Sequence, residues 1–115
     1  MHSLVKALKA LADDTRLRIV NILAERECCV CEVSQTLNIS QTRASRNLTM
    51  LYDTGFLKLR KAGLWSYYSL NTVEMEKYLG QLVKAVHVAL VDDKTAGQDR
   101  ERLKTASRAS TTCQP

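Results

Sequence analysis

Two short amphipathic helices meet across only Asn38-Ile39-Ser40, and this junction constrains the chain more than any other feature. Before it, Val33, Leu37 and Ile39 mark a short third helix ending near Asn38. After it, Ser40 is a good N-cap for a fourth helix whose apolar positions are Ala44, Leu48 and Leu51. Gly55 stops that helix as a C′ glycine. The tight turn joins the two helices, and the third supports the fourth through it.

The flanking segments complete the pattern. Leu4, Val5, Leu8 and Leu11 give a first amphipathic helix. Asp13-Asp14-Thr15 offers an N-cap for a second helix running to about Arg26 through Leu17, Ile19, Val20, Ile22 and Leu23. After Gly55, Phe56, Leu57 and Leu59 and then Trp65, Tyr67, Tyr68 and Leu70 are strand-like about Lys61-Ala62-Gly63, which predicts a β-hairpin. Thr72 is placed to cap a fifth helix over Val73 to Val91, with Met75, Leu79, Leu82, Val83, Val86, Ala89 and Leu90 apolar. Residues 93–115 are rich in Lys, Arg, Ser, Thr and Gln, with Leu103 the one large aliphatic, and read as a flexible polar tail. The expected architecture is mainly α with a small β-hairpin: a winged helix-turn-helix of four helices, a two-stranded wing and a C-terminal helix. Residues 1–92 form the domain and 93–115 the tail.

Charge agrees with such a fold. The 115-residue chain carries +5 overall, but Asn38 to Leu70 alone holds five bases and one acid, a net of +4. A basic central third suits a polyanion. The second helix of a helix-turn-helix presents its N-terminal residues to base edges in the major groove. Gln41, Thr42, Ser45 and Arg46 share one side of the fourth helix, with Arg43 beside them, and offer amide, hydroxyl and guanidinium groups. Lys58, Arg60 and Lys61 on the hairpin are expected at backbone phosphate. The alternative is a solvated basic helix in an unrelated α+β domain.

The stretch ECCVCE (27–32) packs three of the four cysteines into four positions between two acids. Buried packing, a disulfide, redox sensing and a ligand set for a soft ion compete to explain it. No apolar run reaches the ~18–20 residues that span a bilayer, and the N-terminus lacks the features of a signal peptide. The expected location is cytoplasmic, where thiols stay reduced. Thiolates prefer soft ions. Structural zinc usually takes four ligands, and only three cysteines sit here with no histidine nearby. His87, with Asp92 and Asp93, is a weaker metal candidate on a mostly apolar helix. Residues i and i+2 lie ~200° apart on a helix but share a face in extended backbone. One ion held by Cys29 and Cys31 therefore requires the entry to the third helix to be unwound. Glu27 and Glu32 disfavour thiolate, whereas a helix N-terminus favours it. Catalysis is not expected: there is no glycine-rich phosphate loop, and His2 and His87 are placed by no motif.

The segments ADDTRLRIVNIL (12–23), CVCEV (29–33) and SQTRASRNLTMLYDTGFLKLRKAGLWSYYSLN (40–71) closely resemble the ArsR-type (ArsR/SmtB) winged-helix metalloregulatory repressors, across about residues 4–91. The resemblance implies a homodimer paired through its first and last helices and bound to double-stranded operator DNA. It implies release when an effector binds. The arsenic-responsive branch carries an ELCVCDLC-like segment whose three cysteines bind trivalent arsenic or antimony. Cys29 and Cys31 match the first two, and the third position is Ser34. Cys28 stands where that branch usually has Leu, so Cys28, the tail thiol Cys113 of either protomer, or a solvent or small-thiol ligand would complete the set. The expected function is a dimeric repressor released by As(III) or Sb(III), with no catalytic cofactor. A redox-switched repressor and a DNA-binding module without an effector are the alternatives.

Overall fold

The structure is a computed structural model and describes residues 1–109. Helix α1 (His2–Leu11) leads through Ala12 into α2 (Asp14–Leu23), which Asp13 caps by accepting the Arg16 N–H at 3.0 Å. A two-residue strand, β1 (Cys28–Cys29), precedes α3 (Val30–Leu37) and α4 (Gln41–Asp53). The hairpin β2 (Leu57–Ala62) and β3 (Trp65–Leu70) follows, then α5 (Lys77–Leu90) and α6 (Lys94–Leu103). The helix-turn-helix with its wing is therefore present. Its core joins Ile19 and Ile22 of α2, Val33 and Leu37 of α3, Leu48 and Leu51 of α4, and Phe56, all essentially inaccessible to solvent.

The junction works through three residues. Asn38 ends α3 in the left-handed conformation at φ 56°, which asparagine tolerates better than most side chains. Ser40 caps α4 by accepting the Arg43 N–H at 3.1 Å. Ser34 secures the turn between them: its hydroxyl donates to the Ile39 carbonyl at 2.6 Å, and its own carbonyl accepts the Ile39 N–H at 3.1 Å. Gly55 is needed twice over. Its φ is +94°, and a Cβ there would meet the Leu79 side chain of α5 at 3.2 Å.

Three features depart from the sequence expectation. The wing is one hairpin of a three-stranded antiparallel sheet of order β1-β3-β2, in which the cysteine segment is the third strand. Cys28 pairs with Tyr68 and Cys29 with Tyr67. Helix α5 starts at Lys77 behind Glu76, not at Val73 behind Thr72, because Asn71 to Met75 form a turn closed by Met75 N–H to Asn71 C=O at 2.9 Å. Where a polar tail was expected, residues 94–103 form α6 and pack on α2 and α3. Asp93 caps α6 by accepting the Ala96 N–H, and Ala96, Asp99 and Leu103 face inward. Asp99, fully buried, accepts from Arg18 at 2.7 and 2.9 Å and from Arg102 at 2.6 Å. The same two guanidiniums donate to the Leu37 and Thr36 carbonyls, so α6 holds the C-terminal end of α3. Charged hydrogen bonds between residues far apart in sequence bind this helix, so apolar periodicity did not reveal it.

Candidate nucleic-acid interface and cysteine site

Helix α4 buries Ala44, Leu48 and Leu51 and turns Thr42, Ser45 and Arg46 to solvent, with Gln41 half-buried at its start. These four polar side chains therefore line the outer side of the helix near its N-terminus. Arg43 is also exposed, but its guanidinium donates to the Thr15 hydroxyl of α2 at 2.8 Å. Its role in this structure is thus to brace α4. A second brace went unnoticed in the sequence. Arg16 of α2 donates to the Lys9 and Ala10 carbonyls at the end of α1 and to Asn47 Oδ1 of α4 at 2.9 Å. Asn47 sits among the inward positions of α4, and a polar residue there was the available signal.

On the wing, Lys58, Arg60 and Lys61 are all exposed. They pair across the hairpin with Ser69, Tyr67 and Ser66. Arg60 is engaged within the protein: it meets the Glu27 carboxylate at 3.2 and 2.6 Å and lies 4.7 Å from the centre of the Tyr67 ring. The Arg60 hydrogen bond holds the Glu27 carboxyl below the usual carboxylate range.

The cysteines do not form one cluster. Strand alternation sends neighbours to opposite faces. Cys28 belongs to the row Cys28–Tyr68–Leu59 and joins the hydrophobic core at 0% exposure. Burial pushes its thiol up to about 12, against a smaller opposing pull from Arg26. Cys29 belongs to the row Cys29–Tyr67–Arg60 on the other face. It is the N-cap of α3 in a capping box: its N–H donates to Glu32 Oε1 at 2.9 Å, and its sulfur faces the Glu32 N–H. Burial raises its thiol too, with the Glu32 backbone N–H opposing. The balance left open between acids and helix terminus is thus decided by desolvation. Glu32 is itself paired with Arg26 at 3.0 Å.

Cys31 lies in the first turn of α3, buried, 3.2 Å from the Gln35 side-chain nitrogen, and is disulfide-bonded, whereas Cys28 and Cys29 are free thiols. The expectation of reduced thiols does not hold for Cys31 in this structure. Cys113 lies outside the described residues. Among the described residues no three His, Cys, Asp or Glu side chains gather as a metal site, and His87 has no such company. The donor chemistry of Cys29 and Cys31 suits a thiophilic ion, with Cys29 at the extended N-cap position of α3 and Cys31 in its first turn. Ser34, at the third position of the arsenic motif, is occupied with the turn.

A helix-turn-helix with an exposed polar face on its second helix, a basic hairpin beside it and cysteines at the entry to its first helix defines a winged-helix regulator. The chain belongs to the arsR family of bacterial regulatory proteins: that family's model matches residues 13–59, and a relative matches over most of its own length. That relative, the arsenical resistance operon repressor of Bacillus subtilis, is 36% identical over 64% of this chain and 70% of its own length. The arsenic resistance transcriptional regulator ArsR1 of Pseudomonas putida is 42% identical over 68% of this chain and 61% of its own. A cadmium resistance regulatory protein CadC homologue of Staphylococcus aureus is 41% identical over 69% and 63%. The chain therefore spans under two thirds of the length of these last two relatives. Among solved structures, the homodimeric winged helix-turn-helix DNA-binding domain of Mb0332 from Mycobacterium bovis superposes with a TM-score of 0.66 at 27% identity. It covers 81% of this chain and 82% of that one. Family membership places the chain among bacterial regulatory proteins.

Proposed function

We propose that the chain is a dimeric transcriptional repressor that binds operator DNA through α4 and the wing and is released when trivalent arsenic or antimony binds Cys29 and Cys31. The observation that carries this is the position of the two cysteines: one caps α3 and the other sits in its first turn, and α3 leads straight into the helix proposed to face DNA. Once a thiol reductant has opened the Cys31 disulfide, Cys29 and Cys31 would hold the ion, which would supply a thiophilic centre that exchanges hydroxide for thiol sulfur with one water released per As–S bond.

With Cys31 reduced, ion binding at both sulfurs would open the first turn of α3. That costs the capping bond from Cys29 N–H to Glu32 and disturbs the Gln35 contact to Cys31. Such losses are worth about 1 kcal/mol each. A hundred-fold fall in operator affinity requires a coupling of about 2.7 kcal/mol. Local unwinding is therefore of the right size, provided the strain reaches α4, and Ser34 ties α3 to the turn that sets α4. Arg46, Thr42, Ser45 and Gln41 would read bases or bind phosphate, with Lys58, Arg60 and Lys61 on the flanking backbone. Burial in the core makes Cys28 a packing residue. The names of the relatives, arsenical resistance repressors among them, support the ion class.

The test is fluorescence anisotropy of the reduced protein on operator DNA, titrated separately with arsenite, zinc and peroxide. Arsenite should release the wild type and fail to release Cys29→Ser or Cys31→Ser, both of which keep DNA binding. Arg46→Ala should weaken operator binding while arsenite binding persists. Release that survives either cysteine change moves the site elsewhere. One observation favours a second reading: Cys31 is disulfide-bonded. In a redox-switched repressor, two thiols lose two electrons and two protons to peroxide, which leaves as water. Peroxide would then release DNA, and a thiol reductant would restore binding.

A further inference from the structure

Glu27 precedes β1, yet its carboxylate reaches across the sheet to the wing. Arg60 Nη2 donates to Glu27 Oε1 at 2.6 Å and Arg60 Nε to Oε2 at 3.2 Å, a fork-to-fork pair. The guanidinium is also stacked on Tyr67, its partner in the β2–β3 register, and Tyr67 is in turn the register partner of Cys29. Arg60 is thus held from two sides. Both members of the pair remain open to solvent, with side chains 55% and 40% exposed. Exposed ion pairs are weak, so a phosphate can compete for the guanidinium. Lys58 lies on the same outer face of β2 and adds positive charge to the same surface.

We propose that Glu27 is a positioning residue of the wing: it holds the Arg60 guanidinium in the free protein, and DNA phosphate must displace it to engage Arg60. The proposal rests on the DNA-binding reading of the wing. Its consequence is an ion count. A free arginine that neutralises a phosphate releases about 0.9 of a counterion. An arginine taken from a carboxylate leaves that carboxylate to collect a cation, so the net release from this contact is close to nil.

The experiment measures operator affinity against salt concentration for wild type, Glu27→Gln, Arg60→Gln and the double variant. The three variants substitute solvent-open side chains, and circular dichroism checks their folding. Glu27→Gln should tighten binding about three- to five-fold at low salt and steepen the slope of log affinity against log salt by about 0.9. In the Arg60→Gln background the same change should alter affinity less than about two-fold and leave the slope where it was. An equal gain in both backgrounds overturns the proposal, because Glu27 would then act only as a repelling charge. An unchanged slope in the single variant also overturns it. If the wild type binds operator and Arg46→Ala weakens it while Glu27→Gln changes nothing, only the role of Glu27 falls. If the wild type does not bind operator, the interface and the proposal fall together.

Discussion

Cys28 and Cys29 are adjacent in the chain and opposite in environment. In the sequence, ECCVCE looks like a single cluster, because a two-residue strand is too short to show any period. The pairing with Tyr68 and Tyr67 separates it into one core side chain and one capping side chain. This separation has a measurable signature. The folded state keeps the Cys28 proton up to about 12, while an unfolded thiol ionises near 9. A raised acid favours the folded state below the unfolded value, and that contribution is lost as pH rises toward the folded one. Each unit of pH across this window is worth about 1.4 kcal/mol. Urea unfolding at pH 8 and pH 10 should therefore show wild type losing about 1.4 kcal/mol more than Cys28→Ala does. Equal losses would mean that this thiol is not desolvated.

At the scale of elements, what could be read from the sequence depended on how each element is held. The Ser40 cap, the stop at Gly55 and the apolar stripes of α2 and α4 are local signals, and the structure carries each of them. Helix α6 has no such stripe. It docks because Asp99 gathers Arg18 and Arg102, a pairing 81 residues long in one arm. Removing a fully buried partner costs 3–5 kcal/mol in typical cases. Here both guanidiniums reach solvent, with Arg18 24% and Arg102 46% exposed, so about 2 kcal/mol is expected for Asp99→Asn. Urea denaturation gives the total. Hydrogen exchange should show α6 amides losing protection ahead of those in α2. Undiminished protection in α6 would mean that its apolar contacts through Ala96 and Leu103 suffice. The start of α5 was misplaced for a related reason: Thr72 is a good cap by type, but the turn from Asn71 to Met75 takes those residues first.

At the scale of the molecule, apolar side chains that the single chain leaves uncovered mark where a second copy would sit. Leu4, Val5 and Leu8 of α1 are 40–47% exposed, and Val88 of α5 and Val91 just beyond it are more exposed still. The α1 stripe was legible in the sequence as helical periodicity, whereas Val88 and Val91 fall outside the apolar set read there for the last helix; that these faces stay open was not legible, because periodicity does not say what covers a face. Apolar faces left open on α1 and at the end of α5 suit a second copy of this chain, as the proposed dimer requires. Leu8→Glu should shift sedimentation from twice the 12.9 kDa chain mass to one chain mass. Operator affinity should fall by at least about ten-fold, since a dimer engages two half-sites together. A variant that stays dimeric would place the interface off α1.

The last described turn of chain also lays Arg108 across the sheet, 5.6 Å from the centre of the Trp65 ring, with its guanidinium donating to the Tyr67 hydroxyl. Trp65 is the sole tryptophan. The protein therefore carries its own optical gauge: emission from one indole reports whether the C-terminal segment is seated. The seating of that segment during an arsenite or peroxide titration can be followed in the unlabelled, unmodified protein.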